Sequence, residues 1–460
     1  MSEKKFHVAN FGCRASQSEG AAIREEMLAS DFTDSESAFD ANVLVINSCT
    51  VTEEADRDVG RLIRRVARRS PGTEIIVTGC YAQRDPAGLA AMPGVRYVVG
   101  NSHKPMVPRL AQQSVTETSA QGRAEVFCSD IFLETELAGT PNQGSGGRTR
   151  ATVKVQDGCD ANCSFCIIPS VRGRGRSLHP RTVIRQVRDL VDRGYKEIVF
   201  SGIHLGSYGR DLAPAVTFEE LLRMTLEHVS ELERLRLSSI EPLEVTPGLI
   251  GLVRSQPSMA NHFHVPLQSG SARILKAMYR PYLPDYYENV VRRIRTEIPD
   301  ASIGADVMVG FPGETDHEFL ETLNLIESSP LTYLHVFPYS SRPGTRAAAL
   351  PGQIPSHVSR FRAKLLRQLA ERKNAHFRKQ FTGKMMSVLV LDEDPVDGWR
   401  PGISHNFIKV RVPATLRVNR WYRLPISGLD GAGLQASAGG QAPALSAPAD
   451  SRTTTAAETV

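Results

Sequence analysis

The sequence predicts an α/β protein with three folded parts: a doubly wound parallel sheet at the N-terminus, a partial (β/α)6 barrel in the centre and a small all-β barrel near the C-terminus. Two blocks of alternating apolar strands and amphipathic helices lead to this prediction, because such alternation builds parallel sheets. Between the blocks, residues 137–150 show no periodicity and are interpreted as a linker. The expected folded parts are residues 1–136, 151–380 and 381–428.

The first block supplies the N-terminal sheet. Its extended apolar runs occupy residues 5–11, 42–46, 74–77 and 94–99, with helical patterns at 18–28 and 53–69. Near-continuous apolar runs are typical of parallel strands that are covered by helices on both faces. In sheets of this kind, ligands collect beyond the carboxyl ends of the strands.

The second block repeats the alternation. Strands are expected at 151–155, 197–200, 234–237, 262–265, 302–309 and 333–337, and helices at 181–192, 218–229, 287–296 and 318–326. Six strand–helix units are too few for an eight-stranded barrel, so an open, partial barrel fits better. A long charged helix is expected at 356–379, and short alternating runs at 387–391 and 407–412 indicate the C-terminal β-barrel.

Composition is that of an ordinary globular enzyme, with 41% hydrophobic and 23% charged residues and a formal net charge of +5, which excludes a fibrous or wholly disordered chain. No run of 18 apolar residues occurs, so no membrane partner is expected. The N-terminus lacks an apolar leader region, which favours a cytoplasmic location. The tail, residues 429–460, is expected to be disordered, since beyond Gly431 it holds nine alanines and little large apolar bulk besides Leu434.

The seven cysteines are the most informative residues. Their odd number makes a disulfide framework a poor interpretation and favours metal binding or catalysis. Cys159, Cys163 and Cys166 form a C-x3-C-x2-C motif directly after a predicted strand. Three thiolates on one loop can hold three irons of a [4Fe–4S] cluster and leave the fourth iron open to a chelating ligand. A structural zinc site would need a fourth ligand, and the nearest histidine, His179, lies 13 residues after Cys166.

A second triplet, Cys13, Cys49 and Cys80, is dispersed along the chain but shares one local setting. Each cysteine follows a predicted strand at the point where the strand turns into a loop. In a parallel sheet all three would reach the same carboxyl edge, where they could converge on one metal centre. The alternative is three separately buried cysteines, a common environment for this residue. Cys128 belongs to neither triplet and is interpreted as an ordinary packed or surface thiol.

Longer motifs surround both triplets. They are 155–169 and 172–177 around the loop cysteines, the barrel segments 200–209, 264–270, 309–315 and 335–345, and the Asn-Phe-Gly-Cys, Asn-Ser-Cys and Thr-Gly-Cys segments that end at Cys13, Cys49 and Cys80. With these motifs the chain resembles the radical S-adenosylmethionine (radical SAM) methylthiotransferase family over residues 5–425. The resemblance implies two [4Fe–4S] clusters, one on each triplet, with SAM bound to the open iron of the loop cluster.

In that family, electron transfer from the loop cluster cleaves SAM to a 5′-deoxyadenosyl radical, so the loop triplet is also the catalytic group. The second cluster is thought to carry the sulfur that is inserted. The resemblance assigns SAM contacts to residues after the second, third and fifth barrel strands, which are Ser201, Gly202, Ser239, Glu241, Gly310 and Phe311. Ordinary turn geometry is the simpler alternative for the two glycines.

Basic side chains indicate an RNA partner, because they neutralise phosphates. The C-terminal barrel also resembles the RNA-binding TRAM domain, with Phe407, Trp421 and Tyr422 as stacking surfaces. The expected RNA contacts are Arg64, Arg68, Arg172, Arg174, Arg176, Lys409 and Arg411. A solvated charged face is the alternative for the helix that carries Arg64 and Arg68, and Trp421 and Tyr422 could instead be core residues.

The resemblance implies a tRNA methylthiotransferase that replaces the C–H at adenine carbon 2 with C–SCH3, using one SAM for the methyl group and another for the radical. A base cannot remove such a hydrogen, which explains the need for radical chemistry. The motifs look most like the tRNA threonylcarbamoyladenosine branch, then the isopentenyladenosine branch, then the ribosomal-protein aspartate branch. A non-catalytic iron–sulfur RNA-binding protein is the alternative from another class. Besides tRNA, an electron donor and a sulfur source are the expected partners.

Overall fold

A computed structural model describes residues 4–116, 124–137, 149–431 and 433–437 of the chain. Most of the expected linker and most of the expected disordered tail lie outside these residues. Within them, no helix combines the length and the apolar character needed to cross a membrane.

The N-terminal part is a parallel sheet whose strands, in the described residues, follow the spatial order β2-β1-β3-β4-β5-β6. The strands are β1 Lys5–Asn10, β2 Thr33–Asp34, β3 Val43–Ser48, β4 Glu74–Gly79, β5 Val95–Val99 and β6 Glu125–Phe127. The α-helices are α1 Arg14–Leu28, α2 Glu53–Arg69, α3 Cys80–Arg84, α4 Pro86–Ala90 and α5 Val107–Thr116, with short 3-10 helices at Asn101–Met106 and Ile131–Leu133.

Helices cover both faces of this sheet, as predicted. On one face, Val59 and Ile63 of α2 pack with Leu44 of β3. On the other face, Met27 of α1 packs in a separate cluster with Val45, the next residue along β3. Successive side chains of a strand point to opposite faces, so the apolar run of β3 fills two cores at once. The prediction of a doubly wound sheet is therefore confirmed.

The central part contains two parallel three-stranded sheets, β7-β10-β11 and β12-β13-β14. Its strands are β7 Arg150–Lys154, β8 Gln156–Asp157, β9 Arg176–Ser177, β10 Glu197–Ser201, β11 Leu235–Leu237, β12 His262–His264, β13 Ser302–Val309 and β14 Tyr333–Pro338. Bridges between Leu235 and Met259 and between Ser239 and His264 join the two sheets. The described strands thus form the expected open (β/α)6 arrangement, with β8 and β9 as a separate antiparallel pair.

Helices pack against one face of these strands. They are α7 Pro180–Asp192, α8 Phe218–His228, α9 Pro247–Ser255, α10 Ala272–Ala277, α11 Pro284–Glu297, α12 Asp316–Ser328 and α13 Ser356–Lys379, with 3-10 helices at Leu205–Ser207, Pro242–Glu244 and Arg346–Ala349. The short helix α6 Ile168–Arg172 instead packs against Cys80 of the N-terminal part. Ala305 and Val307 of β13 lie in the large core shared with the helices. Asp306, between them, therefore points to the opposite, inner face of the barrel.

The C-terminal part is a closed barrel in the order β15-β16-β17-β19-β18. Its strands are β15 Met385–Val390, β16 Trp399–Ser404, β17 Lys409–Pro413, β18 Trp421–Asp430 and β19 Gly433–Ala436. The expected end of this domain at residue 428 is wrong, because β18 continues to Asp430 and β19 pairs with both β17 and β18. Leu434 is fully buried in the barrel core. Composition does not predict this strand, because backbone hydrogen bonds to the edges of β17 and β18, rather than many apolar side chains, hold it in place.

The barrel junction is built around a buried ion pair. Arg236 of β11 donates to both carboxylate oxygens of Glu197 at 2.8 and 2.7 Å, and neither side chain is exposed. The turn between β16 and β17 closes over this pair, with the Phe407 ring 4.9 Å from the Arg236 guanidinium and 4.6 Å from the His262 ring. Trp421 is also buried. Trp421 is therefore a core residue, the second of the two alternatives for it, whereas Phe407 is half-buried and packs against the junction.

We expect Arg236→Met to destabilise the protein by about 3–5 kcal/mol at pH 7, because it leaves the buried Glu197 carboxylate without its hydrogen-bonded partner and with only weaker attraction from Arg150, 3.6 Å away, and Arg234. Burial alone would raise the pKa of Glu197, but Arg236, together with Arg150 and Arg234, more than offsets this and lowers it. The stabilisation is therefore complete above the unfolded-state pKa of about 4.3 and is lost progressively as the pH falls from there through the lower pKa of the folded protein.

Urea unfolding of the unchanged protein and of Arg236→Met, at pH 7 and near pH 4, measures how much stability the substitution removes at each pH. Arg254→Met is the matched control, because Arg254 and Glu297 form an exposed pair 3.4 Å apart. Its effect should stay below about 1 kcal/mol at both pH values. Equal destabilisation by the two substitutions would contradict the prediction.

Candidate functional site

The dispersed cysteine triplet lies at one edge of the N-terminal sheet. Cys13 caps the start of α1 after β1, Cys49 follows β3 and Cys80 opens α3 after β4. These strands are neighbours, so their carboxyl ends lie side by side. Gly12 has a φ of +117°, and a Cβ there would lie 2.7 Å from the Cys49 Cβ, so only glycine permits the loops to approach this closely. The structure thus brings the three thiols to one edge, as predicted.

Cys128 follows β6, and β5 separates β6 from β4. It lies half-buried outside the triplet, which agrees with its interpretation as an ordinary thiol.

The loop triplet lies between the two short strands β8 and β9, whose pairing joins the ends of the loop. Cys159 N donates to Gly173 O at 3.1 Å, and Cys166 N donates to Cys163 O at 3.1 Å. Gly158 adopts a φ of +73°, and a Cβ there would collide with Arg174 O. These backbone contacts hold the loop so that Cys159 and Cys163 lie near Cys166.

Both triplets are surrounded by hydrogen-bond donors aimed at sulfur. Arg172 Nε donates to Cys80 Sγ at 3.2 Å, and Arg280 Nη1 donates to Cys163 Sγ at 3.3 Å. His204 Nδ1 lies 3.7 Å from Cys159 Sγ, and Glu244 lies 2.8 Å from the other ring nitrogen. Cationic donors favour thiolates over thiols, as sulfur ligands of a metal centre require.

Burial opposes these donors at one cysteine of each triplet, because it favours the protonated thiol. It raises the pKa of Cys49 to about 11 and that of Cys166 to about 12. Without a metal these thiols would stay protonated at neutral pH, whereas a bound metal deprotonates a coordinating thiol. Backbone N–H groups of Val51 and Ile168 donate to the two sulfurs and favour the thiolate. The donor sets of both triplets therefore fit iron–sulfur clusters.

A buried charge network joins the two triplets. Arg172, on the helix that follows the loop cysteines, is only 1% exposed and pairs with Glu19 of α1 at 2.7 Å and with Asp157 at 2.8 Å. Lys154 pairs with the same two carboxylates at 2.8 Å each, and Lys104 also contacts Glu19. In their usual ionisation states, three cations meet two anions here. The surplus positive charge lies beside Cys80, where an anionic sulfur ligand would balance it.

Burial alone would raise the pKa of Glu19, but Arg172, Lys104 and Lys154 together hold it well below its usual range. Both carboxylates of the network thus stay ionised, and each needs its cations to remain buried.

A second contact between the domains lies beside Cys49. Arg342, which follows β14, donates to Thr50 Oγ1 at 2.8 Å and also pairs with Asp56 of α2. Arg84 reaches the same carboxylate at 3.0 Å. The sheet edge that carries the dispersed triplet is therefore fixed to the barrel on two sides.

The expected SAM contacts lie at the ends of the barrel strands. Ser201 ends β10 and is buried, whereas Ser239 is exposed. Glu241 pairs with Arg280, the residue that also reaches Cys163, so it lies beside the loop triplet.

The two SAM contacts expected after β13, Gly310 and Phe311, are less well supported by the structure. Gly310 has a φ of +74°, so ordinary turn geometry already accounts for it. The Phe311 ring is fully buried with Ile274, Met278 and Met308 and has no open face. A contact between this ring and SAM, expected from the resemblance, is therefore not supported by its position.

The expected RNA contacts divide by exposure. Arg64, Arg68, Arg174 and Lys409 are exposed, and Arg411 is half-buried beside Asp430 at 3.4 Å. Arg172 and Arg176 are buried, and Arg176 donates to Arg172 O at 2.7 Å. Phosphate binding by these two residues is excluded by their burial, so this part of the prediction is wrong.

Sequence reasoning missed the residues that surround the sulfurs. Asp157, His204 and Arg342 lie inside the motifs 155–169, 200–209 and 335–345, so their positions in the sequence could have identified them as site residues. Glu19 and Arg280 lie outside any motif, and only their contacts in the folded protein identify them.

Comparisons with known proteins agree with this geometry. A model of the radical SAM superfamily matches residues 153–326, and a model described as uncharacterized protein family UPF0004 matches residues 5–100. The cobalamin-bound radical SAM methyltransferase TsrM from Kitasatospora setae has a similar fold, with a TM-score of 0.54 at 14% identity over 75% of this chain and 77% of that one.

Several relatives match over most of their length. The chain is 35% identical to threonylcarbamoyladenosine tRNA methylthiotransferase MtaB of Bacillus subtilis, over 89% of this chain and 90% of that protein. It is also 35% identical to the protein of the same name from Rickettsia prowazekii, over 92% and 95%. It is 34% identical to tRNA-2-methylthio-N(6)-dimethylallyladenosine synthase of Clavibacter michiganensis, over 84% of this chain and 72% of that protein.

We expect Arg172→Met to destabilise the protein by about 3–5 kcal/mol, because it leaves Glu19 and Asp157 buried with fewer cations. It should also lower the iron held by the dispersed triplet, since Cys80 loses its guanidinium donor. Thermal unfolding and iron analysis after anaerobic reconstitution measure the two effects. Arg174→Met, an exposed neighbour, should change neither, and unchanged iron and stability in Arg172→Met would refute the assigned role.

Proposed function

The chain belongs to the radical SAM tRNA methylthiotransferase family, and from this premise we propose that it inserts a methylthio group at carbon 2 of N6-threonylcarbamoyladenosine next to the anticodon of tRNA. The observation that carries the proposal is the pair of cysteine triplets at facing edges of two domains, joined by Arg172. The choice of substrate is supported by the names of the relatives that match about nine-tenths of both chains.

The chemistry needs two sulfur-rich sites close together. Cys159, Cys163 and Cys166 would hold one [4Fe–4S] cluster, and Cys13, Cys49 and Cys80 would hold the other. When bound, SAM and the clusters supply the radical that removes the inert hydrogen of adenine carbon 2, together with the sulfur and the methyl group. The protein's own part is to hold the two sites in register and to surround their sulfurs with cations.

SAM itself would be held at the carboxyl ends of the barrel strands, by Ser201 and Gly202 after β10 and by Ser239 and Glu241 after β11. Glu241 is well placed for a cationic group of the cofactor, because its carboxylate is already oriented by Arg280 beside the loop triplet. Gly310 would contribute backbone only.

The tRNA backbone would lie on exposed cations, for which we propose Arg64, Arg68, Arg174 and Lys409. Arg411, half-buried, would contribute at the edge of the C-terminal barrel. The reaction requires two further partners, an electron donor and a sulfur source. We place the enzyme in the cytoplasm, where tRNA is modified.

Nucleoside mass spectrometry of tRNA from cells with and without the gene tests the substrate. The proposal expects 2-methylthio-N6-threonylcarbamoyladenosine to disappear and its unmethylthiolated precursor to accumulate. Loss of the methylthiolated dimethylallyl nucleoside instead would assign the chain to the second group of relatives. Unchanged nucleosides of both kinds would refute the proposed activity.

We expect Cys13→Ala to remove about half of the roughly eight irons that two four-iron clusters supply. Its loop cluster should still cleave SAM to 5′-deoxyadenosine, but no methylthio product should form. Iron analysis and product chromatography of the reconstituted enzyme measure both outcomes. Cys128→Ala is the matched control and should keep full iron and full activity. If Cys13→Ala abolished SAM cleavage, the division of labour between the triplets would be wrong.

A further inference from the structure

We propose that the central barrel binds a divalent metal ion on its inner face through His264, Asp306 and His335. These residues belong to the adjacent strands β12, β13 and β14 and include none of the cysteines. The site shares no residue with the clusters or with the SAM contacts of the proposed function, although one of those contacts, Ser239, pairs with His264 through a β-bridge.

All three side chains point to the same side of the sheet. Phe263 and Ala305, which precede His264 and Asp306, lie in the core shared with the helices, and Val336, which follows His335, packs against that core. Side chains alternate along a strand, so His264, Asp306 and His335 face the barrel interior. The pairing register places Asp306 directly beside His335.

The donor atoms have the spacing of a metal site. Asp306 Oδ1 lies 3.0 Å from His264 Nε2 and 3.3 Å from His335 Nδ1, and the three atoms all lie within 4.8 Å of one another. Ligands bound about 2.0–2.1 Å from one ion lie roughly 2.8–3.0 Å apart in octahedral geometry and roughly 3.3–3.4 Å apart in tetrahedral geometry. An ion can therefore enter with side-chain adjustments alone.

The surroundings also match those of metal-binding histidines. His264 Nδ1 lies 3.0 Å from Tyr333 Oη, which lies 2.8 Å from His262 Nε2. A ligating histidine is commonly oriented in this way through its other ring nitrogen. His264 is buried, whereas the His335 side chain is 61% exposed. The exposed side leaves room for water or for an oxygen of a bound molecule to complete the coordination.

Two imidazoles and one carboxylate suit a first-row divalent ion such as Zn²⁺, Fe²⁺ or Mn²⁺. A simple Asp–His hydrogen bond would need only one imidazole at the carboxylate. Here a second imidazole from the neighbouring strand reaches the same oxygen atom, so three possible ligand atoms from three strands converge on one point.

Isothermal titration calorimetry tests the site. Zn²⁺ and, separately, Mn²⁺ are titrated under anaerobic conditions into enzyme whose clusters have been reconstituted, so that the cluster cysteines are already occupied. We expect about one ion per chain for at least one of the two metals. Asp306→Asn, which keeps the side-chain shape, and His335→Ala, at an exposed position, should each weaken this binding at least about tenfold.

His317→Ala is the matched control, because His317 is an exposed histidine on α12 that lies 3.8 Å from a carboxylate of Glu321. It should bind the ion as the unchanged enzyme does. Failure of the unchanged enzyme to bind either metal would overturn the proposal, as would full binding by both Asp306→Asn and His335→Ala. The two metal titrations do not involve tRNA, so their outcome does not depend on the proposed methylthiotransferase activity.

Discussion

The buried guanidinium of Arg172 is the interaction on which the arrangement of the site depends. It lies on the helix that follows the loop cysteines, yet it pairs with Glu19 of the N-terminal domain and donates to Cys80. A buried charge is tolerated only when its partners are correctly placed. The two domains can therefore adopt few relative positions without leaving a carboxylate or a guanidinium unpaired, and this requirement keeps the two cysteine triplets close to each other.

The same physical device recurs around the loop triplet. Arg280 reaches Cys163 and is itself held by Glu241, and His204 reaches Cys159 beside Glu244. In each case a carboxylate orients a cationic group, and that group points at sulfur. Cluster ligands carry negative charge, and hydrogen bonds to their sulfurs help to set the reduction potential of a cluster. The polar side chains around the loop triplet thus supply the positive charge and the hydrogen bonds that the cysteines alone cannot supply.

Much of the fold follows from periodicity. The apolar runs and helical repeats located both α/β blocks, and the long helix α13 has the expected bounds, Ser356–Lys379. The errors share one cause, since each concerned a residue whose environment is set by distant partners. The composition of β19 predicts a tail because it is poor in apolar residues, yet the strand pairs with β18, and Arg172 is buried because its partners lie in another domain.

The sequence by itself determined which cysteines form the two triplets: the spacing of Cys159, Cys163 and Cys166, and the placement of Cys13, Cys49 and Cys80 each after a predicted strand, reflect local chain geometry. The resemblance to the radical SAM methylthiotransferases then implied the clusters that these triplets hold. Only the tertiary structure decided which residues surround those sulfurs. Arg172 meets Cys80 across 92 positions and Glu19 across 153. Periodicity reports which face of an element is buried, but an ion pair depends on where two distant elements meet, and that position is fixed only when the domains pack.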